Sequence, residues 1–354
     1  MISALAPGRK LLRYILANMK SLSIILACAL ALVVGSAAQQ GHGGGRVFAQ
    51  PEGVREVTVK AIPRVVAQGA QWTLAWQGTD NADGIIASSD GGLLFAQEQP
   101  NRISKLDHND KVATFRENTH GTGALSIDAK GRLLAVQRTC TDPGRQGPPC
   151  TEATAVAVLA PENKMLADNF EGKSLGRLND LIADKKGGVY FNGTGTYYVN
   201  RDGKVSSIGE NIRTNGITLS RDEKTLYVTN GGTLVAFDIA ADGSVKNQHD
   251  FAKLEAGGNG DGMAIDAEGR LYVTSEPGVQ VLSADGKYLG LIPTPRSVIS
   301  VAFSGKDKKT LYVVGAGAFG PDGKEFRTPE GVRNNAKTIY RIQMLTQGFK
   351  GRVK

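Results

Sequence analysis

The chain has 354 residues, of which 41% are hydrophobic and 21% are charged, and its formal net charge is +8. Four of the positive charges lie within residues 1–38, which contain no acidic residue, so the rest of the chain carries +4. Because this excess forms no basic cluster interleaved with aromatic residues, the composition argues against a nucleic-acid partner.

The first 38 residues are typical of a secretory signal peptide. An apolar run at residues 21–34 follows Lys20 and precedes small residues at positions 35–38, and this order of segments is that of a cleaved leader. The run is shorter than the ~20 residues of a membrane span. We therefore predict an exported protein, periplasmic or secreted, with no stable membrane span after processing; a retained anchor is the alternative.

Residues 39–65 are predicted to be a flexible tether and entry segment, because the part from 39 to 50 is rich in glycine. Farther along, Cys140 and Cys150 flank a loop of turn-forming residues. In an exported protein such a pair is expected to form a disulfide, with two unpaired thiols as the alternative.

A short phrase recurs six times in residues 66–354. Each copy has an apolar residue, a turn containing Asp, Gly or Thr, and a burst of Leu, Val and Tyr. The first apolar residue of each burst serves as a marker: Leu93, Leu133, Val189, Leu226, Leu271 and Leu311. The intervals of 40, 56, 37, 45 and 40 residues lie near the roughly 40–50 residues of a four-stranded propeller blade. The repeat predicts an all-β, six-bladed β-propeller over residues 66–354; a sandwich or barrel with recurring hairpins is the alternative.

Three segments outside the repeat bear on this prediction. Residues 71–76 and 337–342 are both strand-like, and we expect one of them to close the ring by joining a blade with the other end of the chain. The loop between Cys140 and Cys150 falls in the longest interval, so it is an insertion, and one hypothesis is that it overhangs the channel as a lid.

Two catalytic motifs occur in the wrong context. Residues 172–176 match G-x-S-x-G, but no helical pattern follows Ser174, as a nucleophile elbow requires. Residues 315–320 match G-x-G-x-x-G but lead into a Pro-Asp-Gly turn instead of a helix. Neither motif therefore indicates the function.

Ten or eleven residues before each marker stands a residue with a short side chain or none: Asp83, Gly123, Asn179, Asn215, Asp261 and Ser300. Four of them carry a carboxylate or amide oxygen, and equivalent positions of successive blades lie on a ring about the axis. We therefore predict one divalent metal ion in the channel, Ca²⁺ first, with Zn²⁺, Mg²⁺ and Mn²⁺ as alternatives. The predicted ligands are Asp83, Asn179, Asn215 and Asp261. Ordinary turn chemistry is the competing interpretation, since three of the four precede a glycine.

Three segments that contain these positions resemble the senescence marker protein/gluconolactonase/regucalcin family: residues 178–184, 214–220 and 260–269. The resemblance covers roughly residues 66–345. It implies a six-bladed propeller with one divalent metal ion and, in many members, hydrolysis of lactones. The family's Asn, Asn and Asp ligands fall on Asn179, Asn215 and Asp261, and its substrate-binding Arg falls on Arg177, beside Asn179. The family's first ligand is usually a Glu followed by Gly-Pro, whereas this chain has Asp83 followed by Gly-Ile.

The resemblance implies a lactonase, that is, a hydrolase acting on a small lactone or ester. A metal-bound carbonyl would be attacked by water, with Asp261 as the candidate general base and Arg177 and Asn179 contacting the substrate. The small residues Gly123 and Ser300 are expected to leave room for the substrate on their side of the channel. Alternatives are an esterase, a phosphotriesterase or a strictosidine-synthase-like enzyme on the same scaffold, and a non-catalytic propeller braced by its metal.

Overall fold

The computed structural model describes residues 53–138, 153–328, 334–352 and 354. The predicted signal peptide, most of the tether, and Cys140 and Cys150 with their loop lie outside these ranges. Within them, every regular element is a β-strand, and no helix is long and apolar enough to cross a membrane.

The described ranges contain 26 strands. In chain order they are β1 (Thr73–Gln77), β2 (Ile85–Ala87), β3 (Leu93–Gln97), β4 (Arg102–Leu106), β5 (Val112–Glu117), β6 (Thr122–Ile127), β7 (Leu133–Gln137), β8 (Ala155–Ala160), β9 (Lys164–Ala167), β10 (Asn169–Phe170), β11 (Lys173–Ser174), β12 (Leu181–Ala183), β13 (Val189–Asn192), β14 (Thr196–Val199), β15 (Val205–Ile208), β16 (Thr214–Leu219), β17 (Thr225–Asn230), β18 (Thr233–Ile239), β19 (Val245–Lys253), β20 (Met263–Ile265), β21 (Leu271–Ser275), β22 (Gly278–Leu282), β23 (Tyr288–Pro293), β24 (Val298–Ser304), β25 (Thr310–Ala316) and β26 (Ala336–Gln343).

These strands form six four-stranded antiparallel sheets and one small hairpin, β10–β11, within the described ranges. In chain order the sheets are β2–β5, β6–β9, β12–β15, β16–β19, β20–β23, and β24–β26 completed by β1; they are called the first to the sixth sheet below. The first strand of each sheet contacts the first strands of the two neighbouring sheets, and β24 contacts β2. The molecule is therefore a six-bladed β-propeller with the six first strands around its channel, as the repeat predicted.

The turn chemistry of the repeat explains the hairpins. In the second sheet, Asp128 Oδ1 accepts hydrogen bonds from the backbone amides of Lys130 and Arg132, each at 2.9 Å. Gly131 in the same turn has a φ of 77°, a conformation that glycine adopts without steric cost. The Leu- and Val-rich burst that follows forms β7, which is buried along its whole length.

The apolar core lies between the sheets. Six clusters of buried side chains were found among the described residues, each filling the space between two neighbouring sheets. Between the third and fourth sheets, for example, Tyr190 and Tyr198 stack with their ring centroids 4.4 Å apart. Because each side chain buried in this way contributes about 1.5–3 kcal/mol, the packing holds neighbouring sheets, and hence their inner strands, in fixed positions.

Both ends of the described chain take part in closing the ring. Strand β1 pairs with β26 as the outermost strand of the sixth sheet, with Thr73 opposite Arg341, which confirms the expected closure. Residues 53–65, in the region predicted as tether and entry segment, pack on the propeller. Val59, Ile62 and Val65 are buried in the cluster between the fifth and sixth sheets.

Candidate functional site

The four predicted oxygen-bearing residues lie together in the channel. Asp83, Asn179, Asn215 and Asp261 all line one cavity, to which Ser300 also contributes. Its volume is about 30 Å³, enough for one ion or one or two water molecules. The constant spacing in the sequence thus corresponds to a real ring of side chains at the start of the inner strands.

The glycines that follow three of these residues serve close packing of the inner strands. The φ angle lies outside the left-handed range at all three of these glycines, Gly84, Gly216 and Gly262. A Cβ atom on Gly216 would lie 1.9 Å from the carbonyl oxygen of Asp261, two residues before the next inner strand, β20. The turn interpretation therefore does not describe these glycines; they let adjacent inner strands approach until the side chains in front of them converge.

The two asparagines are in direct contact. The side-chain nitrogen Nδ2 of Asn179 donates to Asn215 Oδ1 and, at 3.2 Å, to the backbone carbonyl oxygen of Asn215. That carbonyl also accepts a hydrogen bond from Asn192 Nδ2 at 2.7 Å. These bonds hold the two carboxamide groups side by side at the cavity wall.

Asp261 is positioned through its backbone. Its amide donates to the carbonyl oxygen of Thr274 at 2.9 Å. The hydroxyl of Thr274 in turn donates to the Ile299 carbonyl at 2.9 Å, which links β21, the second strand of the fifth sheet, to the inner strand of the sixth sheet. The backbone of Asp261 is thus held at the wall of the cavity that this residue lines.

A residue that the sequence analysis missed, Arg138, reaches into the ring from the second sheet. Its Nη1 donates to Asp83 Oδ2 at 2.6 Å, and its Nη2 donates to Asn179 Oδ1 at 3.0 Å. The side chain is fully buried. Burial opposes its charge, but the carboxylates of Asp83 and Glu98 outweigh this effect and raise the pKa of the guanidinium above its usual value. Arg138 therefore contributes a permanent positive charge beside two of the predicted ligands.

The space beside Gly123 is filled by this guanidinium. A Cβ atom on Gly123 would lie 2.0 Å from Cζ of Arg138. The expectation that Gly123 leaves room for substrate is therefore wrong at this position, because the missing side chain makes room for Arg138 instead. Ser300, the other small member of the ring, does line the cavity.

Arg177 belongs to the same network of buried charges. Its Nη1 and Nη2 donate to Oε1 and Oε2 of Glu98 at 2.9 and 3.0 Å, and Glu98 also lies 3.3 Å from Nη1 of Arg138. Arg177 is not among the described residues that line the cavity. It lies two residues before Asn179, which does line the cavity. Burial raises the pKa of the remaining carboxyl of this network, Asp83, while Arg138 opposes that shift.

Glu98 and Arg138 occupy equivalent positions, five residues after the markers Leu93 and Leu133. The same offset in the fifth sheet gives Glu276. Reading the repeat forward from each marker, as well as backward, would have found this second set of charged residues. Two further charged residues line the cavity outside the predicted ring, Asp180 and Lys354.

The donors at the cavity fit a hard divalent cation. Within the described ranges no group of three or more His, Cys, Asp or Glu side chains is placed to hold a metal ion, so any ion here would depend on amide oxygens as well as carboxylates. Asn179, Asn215 and Asp261 offer such oxygens at one cavity of ionic size, and Ca²⁺ accepts mixed carboxylate, amide and water ligands. Asp83 lies in the same wall, with one oxygen engaged by Arg138.

Comparison with known families agrees with the resemblance seen in the sequence. Residues 83–317 match the SMP-30/Gluconolactonase/LRE-like region. The chain belongs to this family. The matched range begins at Asp83 and includes all four predicted ligands and Arg177, so the candidate site lies inside the part of the chain that defines the family.

The curated relatives of the chain include several proteins with lactonase names. The chain is 23% identical to a gluconolactonase of Zymomonas mobilis over 285 residues, which cover 70% of this chain and 77% of the relative. It is 30% identical to the pentonolactonase XacC of Haloferax volcanii over 187 residues, which cover 49% of this chain and 64% of the relative. These relatives agree with the prediction of a lactonase enzyme.

Among solved structures, the calcium-binding protein regucalcin of Agrobacterium tumefaciens has the same fold. The two superpose with a TM-score of 0.58 at 17% identity, over 78% of this chain and 96% of the other. At this identity the likeness supports the propeller fold of the chain.

Proposed function

We propose that this family member is a metal-dependent lactonase that opens the ring of a small lactone at the channel cavity. The observation that carries the proposal is the convergence of Asn179, Asn215 and Asp261 on one cavity, in a chain whose named relatives include a gluconolactonase and a pentonolactonase. An ester hydrolase of broader scope is the nearest variant of this function.

Asn179, Asn215 and Asp261 would hold the cation, with Asp83 at the edge of the ligand set. A divalent cation bound there would polarise the lactone carbonyl and stabilise negative charge on its oxygen. Calcium is the first candidate because the donors are all oxygen atoms, and a structural neighbour of the chain is a calcium-binding protein.

Asp261 is the proposed general base. Its carboxylate accepts a proton from the attacking water while the water oxygen bonds to the carbonyl carbon. The ring C–O bond then breaks, and the proton passes to the released alkoxide, so that lactone and water yield one hydroxy acid. The backbone bond from Asp261 to Thr274 and the packing against Gly216 keep this carboxylate in place.

Arg177 and Asn179 are the proposed substrate contacts. The bidentate pair with Glu98 fixes the plane of the Arg177 guanidinium, so this cation can orient oxygen atoms of a substrate without reorganising. Asn179 lies at the cavity itself. The identity of the substrate depends on the loops around the channel.

The test is a panel of sugar lactones and simple esters, assayed by acid release in three states: as purified, after chelator treatment, and after return of Ca²⁺, Zn²⁺, Mn²⁺ or Mg²⁺. We expect lactone hydrolysis that is lost with chelator and restored by at least one metal. Asp261→Ala should abolish both activity and metal binding. Asp202→Asn, in an exposed turn, is the matched control and should retain both.

Two outcomes would overturn the proposal. Hydrolysis at the parent rate by Asp261→Ala would exclude Asp261 as base and ligand. Metal binding without turnover of any lactone or ester would instead favour a binding propeller whose metal braces the channel.

A further inference from the structure

Residues 344–352 cross the end of the channel at which the inner strands finish. The amide of Gly348 donates to the Lys308 carbonyl of the sixth sheet at 2.8 Å, and the amide of Phe349 donates to Ile265, the last residue of β20, at 3.1 Å. Farther on, Nη2 of Arg352 donates to the carbonyl of Leu219, the last residue of β16, at 2.9 Å. The segment thus runs from the sixth sheet past the fifth to the fourth, beneath the channel.

Beyond this segment, Lys354 points its ammonium into the channel. Its Nζ donates to Asp180 Oδ2 and to the Ile217 carbonyl, both at 2.5 Å. The same carboxylate oxygen also accepts the amide of Ile217 at 3.0 Å. Asp180 belongs to the third sheet, which lies opposite the sixth in a ring of six, so the contacts of the segment and of Lys354 together span the full width of the channel.

Lys354 lines the same cavity as the proposed metal ligands. Only 12% of its side chain is exposed; burial lowers the pKa of the ammonium, and the Asp180 carboxylate opposes that shift. A buried ammonium bonded to a carboxylate is a fixed charge that solvent screens only weakly. It adds positive charge to a cavity that would also hold a divalent cation.

The net charge of the cavity follows from the ionisable groups at its wall. Three carboxylates line it, those of Asp83, Asp180 and Asp261. Two cations oppose them, Lys354 on Asp180 and Arg138 on Asp83. If all five groups are ionised, the cavity carries one net negative charge, which is less than a divalent ion would need for neutrality.

We propose that Lys354 is a positioning residue of the metal site: residues 344–352 close one end of the channel, and the Lys354 ammonium holds Asp180 and weakens binding of the divalent ion. This inference rests on the proposed metal-dependent function. Its consequence is an ion whose charge is incompletely neutralised by its surroundings, and such an ion polarises a carbonyl more strongly. The closed end also means that substrate and metal enter from the opposite face.

Calorimetric titration of chelator-treated full-length protein with CaCl₂ tests the inference without measuring activity. Lys354→Met removes the charge and keeps most of the length of the side chain, whereas Lys354→Arg keeps the charge as a matched control. We expect Lys354→Met to bind Ca²⁺ about tenfold more tightly than the parent, because a like charge is removed from a poorly screened site. Lys354→Arg should bind within about threefold of the parent by the same reasoning.

Equal or weaker binding by a folded Lys354→Met would overturn the inference, while binding by the parent would leave the proposed metal site standing. Absence of binding by the parent would overturn both. Lys354→Met leaves Asp180 buried without its cation and can therefore fail to fold. In that case the double variant Asp180→Asn/Lys354→Met is titrated with CaCl₂ instead. The double variant keeps the net charge of the cavity, so it should bind Ca²⁺ within about threefold of the parent; a tenfold change in either direction would overturn the inference.

Discussion

The two sides of the ligand ring present their oxygen atoms in different ways. In the third to fifth sheets, Asn179, Asn215 and Asp261 contact one another's strands and face the cavity. In the first two sheets, the carboxylate of Asp83 forms an ion pair with a buried arginine that passes beside Gly123. The same arginine also reaches the neutral amide oxygen of Asn179, but it neutralises only the carboxylate. A six-fold repeat can therefore supply a site with two chemistries: one side offers oxygen atoms to a bound cation, and on the other side the protein provides the cation as an arginine side chain.

The largest effect is expected on the cation-holding side. Asp261→Asn should lower lactone hydrolysis by about 10²–10⁴-fold, the usual contribution of a general base. Metal affinity should fall as well, because an amide replaces a carboxylate ligand. Initial rates on the best lactone, together with calcium titration, check this prediction. If Asp261→Asn hydrolyses the lactone at the parent rate, the side of the ring that contains Asp261 has no special role in catalysis.

On the arginine side, the expected loss is one of stability. Arg138→Met leaves Asp83 and Glu98 close together without their shared cation, and breaking a buried ion pair costs about 3–5 kcal/mol. Denaturant unfolding measures this change. Arg132→Met, which removes a partly exposed partner of Asp128, is the control and should cost less than about 1 kcal/mol. If Arg138→Met and Arg132→Met lose the same free energy of unfolding, the buried ion pairs of Arg138 do not contribute more to stability than a partly exposed pair.

The packing between inner strands gives a third test. In Gly216→Ala the new Cβ would meet the Asp261 carbonyl oxygen, so the strands must shift, at a cost of about 1–3 kcal/mol. The metal affinity should decrease with it, because the shift moves Asp261. Gly232→Ala, whose Cβ would have its nearest contact at 3.5 Å and whose φ is not left-handed, should change neither thermal stability nor calcium binding.

The smallest effect is expected at Asp83. Since one of its oxygens is engaged by Arg138, Asp83→Asn should weaken calcium binding by less than about tenfold, a change of under ~1.4 kcal/mol. Titration of Asp83→Asn and Asp261→Asn side by side makes the comparison direct. If both lose the same affinity, Asp83 is a full ligand and the proposed difference between the two sides of the ring fails.

The repeat made much of this arrangement predictable from the sequence. A fixed offset from markers such as Leu93 and Leu271 identified Asp83 and Asp261 as neighbours, because equivalent positions of a propeller necessarily lie on one ring. The closure of the last sheet by residues near 73 could be expected for the same reason.

Other parts of the site follow no period. Arg138 fills the space that a side chain at position 123 would occupy. This contact can be recognised only when the three-dimensional position of the backbone around Gly123 is known. Lys354 comes after the last blade, and its position depends on the path of residues 344–352 across the channel. Interactions between distant segments of this kind leave no spacing that a single sequence displays.

The pairing of β1 with β26 has a consequence for how the protein reaches its native state. The sixth sheet lacks its outermost strand until residues 336–343 meet residues 73–77, which lie at the other end of the domain. Joining such distant segments requires the entropy of a very long loop to be overcome before any contact is gained, and folds dominated by such contacts assemble slowly. The cavity, whose lining residues come from all six sheets, is therefore complete only when the circle closes.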